Sequence, residues 1–152
     1  MRPSRDENLM EHARLEGERG TCSRNKVGVV FAREGRILIS GYNGAPRGVE
    51  HCSHECDCGK SEGLKLLHDP HDSDCLVLKP CSVSVHAEAN AIAFAARHGV
   101  RLDGSDMHCT VTPCLSCAQL VINAGVVRAS FDREYRDRSG LILLEQAGII
   151  IS

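Results

Sequence analysis

Apolar positions along the chain change period several times, and each change marks an element. Leu9, Met10, Ala13 and Leu15 fall at near-helical spacing within residues 7–19, which predicts a short amphipathic helix ending before Gly20. The β-branched runs Val27-Gly28-Val29-Val30-Phe31 and Arg36-Ile37-Leu38-Ile39-Ser40, separated by Glu34-Gly35, read as a hairpin. Gly41-Tyr42-Asn43-Gly44-Ala45-Pro46 then breaks regular structure. From His51 to Cys81 periodicity is lost. It returns as a helix over 86–98, a strand over 107–112, a helix over 114–124, a strand over 126–131, a helix over 139–147 and a final strand over 149–151. Strands alternating with helices predict an α/β layer fold whose second half is largely parallel.

The 152 residues contain no internal repeat, low-complexity tract or Pro/Gly-rich linker. One domain over 1–152 is therefore expected, with a Cys/His-rich insertion at about 50–82. Charge is nearly balanced, 18 Lys and Arg against 20 Asp and Glu, so the chain lacks the global basic surface that dominates nonspecific nucleic-acid affinity. Three Phe, two Tyr and no Trp also offer few stacking platforms for single-stranded bases. Both facts favour a small-molecule substrate over duplex nucleic acid or tRNA. No apolar run approaches the roughly 20 residues that span a bilayer, and the first residues lack the apolar stretch of a signal peptide. A cytoplasmic protein with no membrane partner is expected. In that reducing compartment, nine Cys mixed with eight His point to metal rather than disulfides.

Two short motifs carry the chemistry: His86-Ala87-Glu88, and Pro113-Cys114-Leu115-Ser116-Cys117 one helix and one strand later. Together they supply three zinc ligands, His86, Cys114 and Cys117, and one carboxylate left unliganded. A catalytic zinc takes three protein ligands and leaves its fourth position to water, whose pKa it lowers towards neutrality. Pro113 is expected in the first turn of a helix, where its fixed φ would make Cys114 and Cys117, three apart, project from one face. The positive end of that helix favours thiolate over thiol. Glu88, in the first turn of the other helix, is placed to act as a proton shuttle for hydrolytic removal of an amino group from a ring. A closed structural zinc site would need a fourth ligand elsewhere and would have no use for Glu at this offset.

These residues resemble the cytidine and deoxycytidylate deaminase superfamily, and its dCMP deaminase branch in particular. The resemblance runs from about Thr21 to Gly148. It rests on Ser23-Arg24-Asn25-Lys26-Val27-Gly28, on Gly41-Tyr42-Asn43-Gly44-Ala45-Pro46-Arg47-Gly48, on His86-Ala87-Glu88-Ala89-Asn90-Ala91-Ile92 and on Thr112-Pro113-Cys114-Leu115-Ser116-Cys117-Ala118. It implies a three-layer α/β/α fold with a mixed five-stranded sheet, and conversion of dCMP and water to dUMP and ammonia, feeding dTMP synthesis. It also implies a homo-oligomer, commonly a hexamer, activated by dCTP with magnesium and inhibited by dTTP.

By the same resemblance Asn43 bonds the sugar hydroxyl and Tyr135 lies over the substrate, while Phe94 and Arg97 match the effector and subunit-contact region. Turn chemistry alone would also select Asn43-Gly44, and an ordinary helix face would bury Phe94 and solvate Arg97. Arg24 and Lys26 are candidates for the 5′-phosphate through charge-assisted bonds. The Cys/His-rich stretch suggests a second, structural zinc that would offset the disorder of a long loop. Cys22 and Cys52 line up with its ligands, the other two coming from among His71, Cys75 and Cys81, with Cys58 in reserve. Val83 stands where some relatives carry Arg. The alternatives are a deaminase of another cytosine nucleotide, such as dCTP or a 5-modified dCMP, or of a nucleoside or base, and a zinc-stabilised interaction module without catalysis.

Overall fold

The computed structural model describes residues 2–22, 25–49, 51 and 84–152. Arg24, Cys52, Cys58, His71, Cys75, Cys81 and Val83, and with them most of the expected second zinc site, lie outside the described residues.

Helix α1 (Arg5–Glu18) starts at a capping box, the Ser4 hydroxyl accepting from the Glu7 amide and the Glu7 carboxylate accepting from the Ser4 amide. Strands β1 (Gly28–Arg33) and β2 (Arg36–Tyr42) form the expected hairpin. Glu34 and Gly35 both take positive φ, 54° and 74°, the geometry that matches the twist of a two-residue hairpin. β2 runs on through Gly41 and Tyr42 into the segment expected to be irregular. Gly41 is paired with Val29, and its lack of a side chain lets α2 cross there, since a Cβ would lie 2.8 Å from both the Ala87 carbonyl and the Ala91 methyl.

The second half alternates α2 (Ala87–His98), β3 (Asp106–Cys109), α3 (Leu115–Asn123), β4 (Arg128–Phe131), α4 (Ser139–Gln146) and β5 (Ile150–Ile151). The five strands are ordered β2-β1-β3-β4-β5, antiparallel at β2-β1-β3 and parallel at β3-β4-β5. This is the mixed five-stranded sheet expected, with the parallel pairs in the second half.

β1 is apolar on both faces because both are covered. Val29 and Phe31 meet Ala87, Ala91 and Ala95 of α2, Ala118 and Val121 of α3 and Leu144 of α4 in the main core. Val30 and Ala32 point the other way, onto Leu9, Met10 and Ala13 of α1. Three layers result, three helices on one face and α1 on the other. β3 stops at Cys109, earlier than its sequence pattern suggests. Thr110 still donates to the Gly28 carbonyl, but Thr112 has left the sheet to bond Arg133. Among the described residues no helix is long and apolar enough to cross a membrane.

Candidate active site

The chain returns to the sheet beside Gly44 just before α2. Gly44 and Val85 exchange backbone hydrogen bonds of 3.1 and 2.8 Å, so His86 enters as the residue that begins the helix. His86 is the N-cap of α2 and Cys114 the N-cap of α3, and neither helix start has a side-chain cap. The metal-binding atoms therefore sit at two positive helix ends, where the Glu88 amide bonds its own carboxyl and the Cys117 amide bonds the Cys114 sulfur. Pro113 precedes the N-cap and is not the first helical residue, contrary to the sequence expectation. Cys114 and Cys117 still share a face because they are separated by one helical turn.

The donor atoms converge. His86 Nδ1 lies 3.4 Å from Cys114 Sγ and 3.5 Å from Cys117 Sγ, and all three lie within 4.8 Å of one another. Zinc bonds of about 2.3 Å to sulfur and about 2.05 Å to nitrogen at a tetrahedral angle would separate N and S by about 3.6 Å. The observed spacing fits that ion. Among the described residues this is the one cluster with metal-binding reach. Cys117 is buried, Cys114 half-buried and His86 exposed, so one side of the site is open to solvent.

The electrostatics agree. The Cys117 thiol and then the His86 ring hold Cys114 as a thiolate, its pKa lowered to about 3. Cys114 in turn raises the His86 pKa. Cys117 is pushed far up, first by its bond to Cys114 and then by burial. Protons shared among three close ligands are what a dication displaces on binding. Ser116 Oγ, 3.2 Å from Cys114 Sγ, also helps hold the thiolate.

Glu88 is only 4% exposed, and burial raises its pKa, opposed by its own backbone N–H and by His86. Its carboxyl also bonds the Cys117 sulfur, which places it against the ligand cluster. A buried carboxyl that keeps a proton more readily than usual suits general acid and base chemistry near neutral pH.

The described substrate candidates gather unevenly around this centre. Asn43 is buried next to the Gly44-Val85 bridge, and its amide is engaged twice, Nδ2 donating to the Asn25 carbonyl at 2.6 Å and Oδ1 accepting from Val27 N at 2.8 Å. One further amide hydrogen remains for a ligand. Lys26 turns away, its ammonium donating to the Glu18 carbonyl at the end of α1. The Tyr135 amide donates to Thr112 Oγ1 at 2.7 Å, two residues from Cys114. Phe94 is not a core residue: it is 49% exposed and packs on His98 at 4.3 Å between ring centroids, with Arg97 exposed beside it. Cys22 is buried and is not a member of the triad cluster.

Sequence reasoning missed Thr112, Asn25, Arg133 and Asn90. Arg133 donates to Asn25 Oδ1, and Asn90 Nδ2 donates to the Tyr42 carbonyl, tying α2 to the end of β2. Thr112, Asn25 and Asn90 lie within the motifs that carry the family resemblance but were given no role there, and Arg133 had no such signal.

Residues 3–132 match the family model of the cytidine and deoxycytidylate deaminase zinc-binding region. The chain belongs to this deaminase family. Within it, the chain is similar to deoxycytidylate deaminase of Saccharomyces cerevisiae, 33% identical over 99% of this chain and 45% of the yeast protein. It thus spans less than half of that relative's length. It is also similar to deoxycytidylate deaminase of Mycobacterium phage D29, 35% identical over 88% of this chain and 98% of the phage protein. The structure of dCMP deaminase from cyanophage S-TIM5 in complex with dCMP and dUMP superposes with a TM-score of 0.78 at 30% identity. That match covers 100% of this chain and 98% of the phage chain. The deaminase fold expected from the sequence is therefore present, and the family's zinc-binding region includes the His86, Cys114 and Cys117 cluster.

Proposed function

We propose that this chain is a zinc-dependent dCMP deaminase, converting dCMP and water to dUMP and ammonia. The observation that carries this reading is one buried carboxyl, Glu88, lodged against a His86, Cys114 and Cys117 cluster of zinc dimensions at two helix N-termini. The named relatives support the substrate, since two are deoxycytidylate deaminases and a third was solved with dCMP and dUMP.

His86, Cys114 and Cys117 would hold the zinc, which when bound supplies an acidified water near neutral pH. Glu88 would accept one proton from the attacking water and hand it to the ring nitrogen of cytosine, and would then carry the second proton, from the hydroxyl added at C4, to the amino group, so that C4 keeps the oxygen as a carbonyl and ammonia departs. Asn43 offers its remaining amide hydrogen to the sugar, and Tyr135 covers the substrate. Lys26, with Arg24 from outside the described residues, was the candidate for the phosphate; the bond of Lys26 to Glu18 means that it must swing to serve.

Cys22 and Cys52 are the first candidates for a second zinc, with two further ligands to come from among His71, Cys75 and Cys81, and Phe94 and Arg97 are candidates for an effector or subunit face. The exposure of Phe94 supports the latter. A single domain with an insertion, a homo-oligomer and dCTP or dTTP control with magnesium complete the proposal.

The test is ammonia release from dCMP, dCTP, deoxycytidine and CMP in parallel, with and without dCTP plus magnesium, together with zinc per chain. Selective dCMP turnover is expected. Turnover of a different substrate with dCMP ignored would overturn the assignment while leaving the zinc chemistry in place.

A further inference from the structure

Thr112 stands at the junction of two segments that the reaction needs. It is 5% exposed, and its amide and its hydroxyl both reach the chain after β4. Its amide donates to the Arg133 carbonyl at 3.0 Å, and its hydroxyl accepts from the Tyr135 amide at 2.7 Å. Six residues after Arg133 that chain becomes α4, and there it touches the zinc-ligand turn again. Gly140, buried in the first turn of α4, packs on the Pro113-Cys114 peptide so closely that a Cβ would overlap the Pro113 carbonyl oxygen. The same Cβ would lie 2.8 Å from the Cys114 carbonyl carbon and oxygen. The obstructing atoms are backbone, so no rotamer change would relieve them.

We propose that Thr112 and Gly140 are positioning residues that brace the Cys114 turn at two points against the segment carrying Tyr135. Zinc ligands are aimed by what lies behind them, and loss of such support typically costs ligands 10–100-fold in metal affinity. Here the support for Cys114 is a backbone contact that only glycine permits. The same segment extends the brace across the site: the Arg133 side chain bonds Asn25, whose carbonyl holds Asn43. One strand-to-helix connection thereby sets the direction of a metal ligand and the placement of a substrate-side residue.

The substrate-covering role of Tyr135 rests on the proposed dCMP reaction, so the test has one arm independent of it. Gly140→Ala is expected to bind zinc roughly 10- to 100-fold more weakly in competition with a chromophoric chelator. The metal of this site is identified by its loss in Cys114→Ser. Thr112→Val, which keeps the side-chain shape and the bond to the Arg133 carbonyl, is expected to retain zinc but raise KM for dCMP several-fold with a smaller change in kcat. Thr112→Ser should restore KM. Parental zinc affinity in Gly140→Ala, or parental KM in Thr112→Val, would overturn the brace. If Gly140→Ala does not fold, Thr112→Val against Thr112→Ser decides. A parent chain without dCMP turnover refutes the proposed function instead, and the zinc competition still decides the brace.

Discussion

His108 Nδ1 lies 2.6 Å from Ser130 Oγ, across the β3-β4 pair on the face beneath α1. The ring is fully buried, and its Nε2 has no partner among the described residues. Burial lowers its pKa from the usual value of about 6.5, an effect that Asp6 and Asp106 oppose and Arg128 reinforces.

A histidine with a depressed folded pKa is protonated first in the unfolded chain. Its contribution to stability is complete above about pH 6.5 and is lost as pH falls through the folded value. The melting temperature should therefore drop between pH 7 and 5. His108→Gln, which cannot titrate, should flatten that part of the profile. An unchanged profile in the variant would show that other groups control it.

Glu88→Gln replaces a buried carboxyl by a neutral group of nearly the same shape. Turnover should fall roughly 10²–10⁴-fold, the usual worth of a positioned acid-base group, with zinc content and melting temperature held. Cys117→Ala should instead release zinc. Substantial turnover by Glu88→Gln, measured as ammonia release, would remove Glu88 from the proton path.

At Gly28, β1 packs directly on the backbone of α1. A Cβ there would overlap the Ala13 carbonyl oxygen and the Gly17 amide nitrogen and lie 2.8 Å from Gly17 Cα. Gly28→Ala must push the helix off the strand, at a cost on the order of 3 kcal/mol. Denaturant unfolding reads this directly as a lower midpoint.

Asn43→Ala would leave the Val27 amide and the Asn25 carbonyl without their present partner, at a cost of about 2 kcal/mol. If Asn43 also bonds the sugar, KM for dCMP should rise beyond the change seen in Gly20→Ser, where an added side chain would meet Asn43 Oδ1 without deleting it. Equal KM values in the two variants would limit Asn43 to holding the 25–27 segment.

The element order and the two halves of the zinc cluster were legible because each depends on short spacings, whereas the fold alone brings His86 to Cys114 and Cys117, 28 and 31 residues away. A hairpin needs only two apolar runs and Glu34-Gly35. A ligand pair three apart on a helix shares a face whatever else the chain does. His86 and Glu88 fall within one turn, so their joint aim at a metal follows from the start of α2. The limits of β2 and β3 were less legible, because a strand ends where its partner stops pairing. Gly41 stays paired, whereas Thr112 is drawn away by Arg133.

The sequence by itself determined which residues are candidates for the chemistry and which local element holds His86, Glu88, Cys114 and Cys117, since helical and strand periods fix geometry over a few residues. Only the tertiary structure decided how these pieces meet: Lys26 spent on the end of α1, Asn43 clamped between Asn25 and Val27, Phe94 left exposed, and Gly140 pressed on the Cys114 peptide. Those contacts join positions 8 to 27 residues apart or depend on which helix face is covered, so no local pattern encodes them. They arise when α1, α2 and α4 dock on the sheet and bring distant backbone within hydrogen-bonding or van der Waals range.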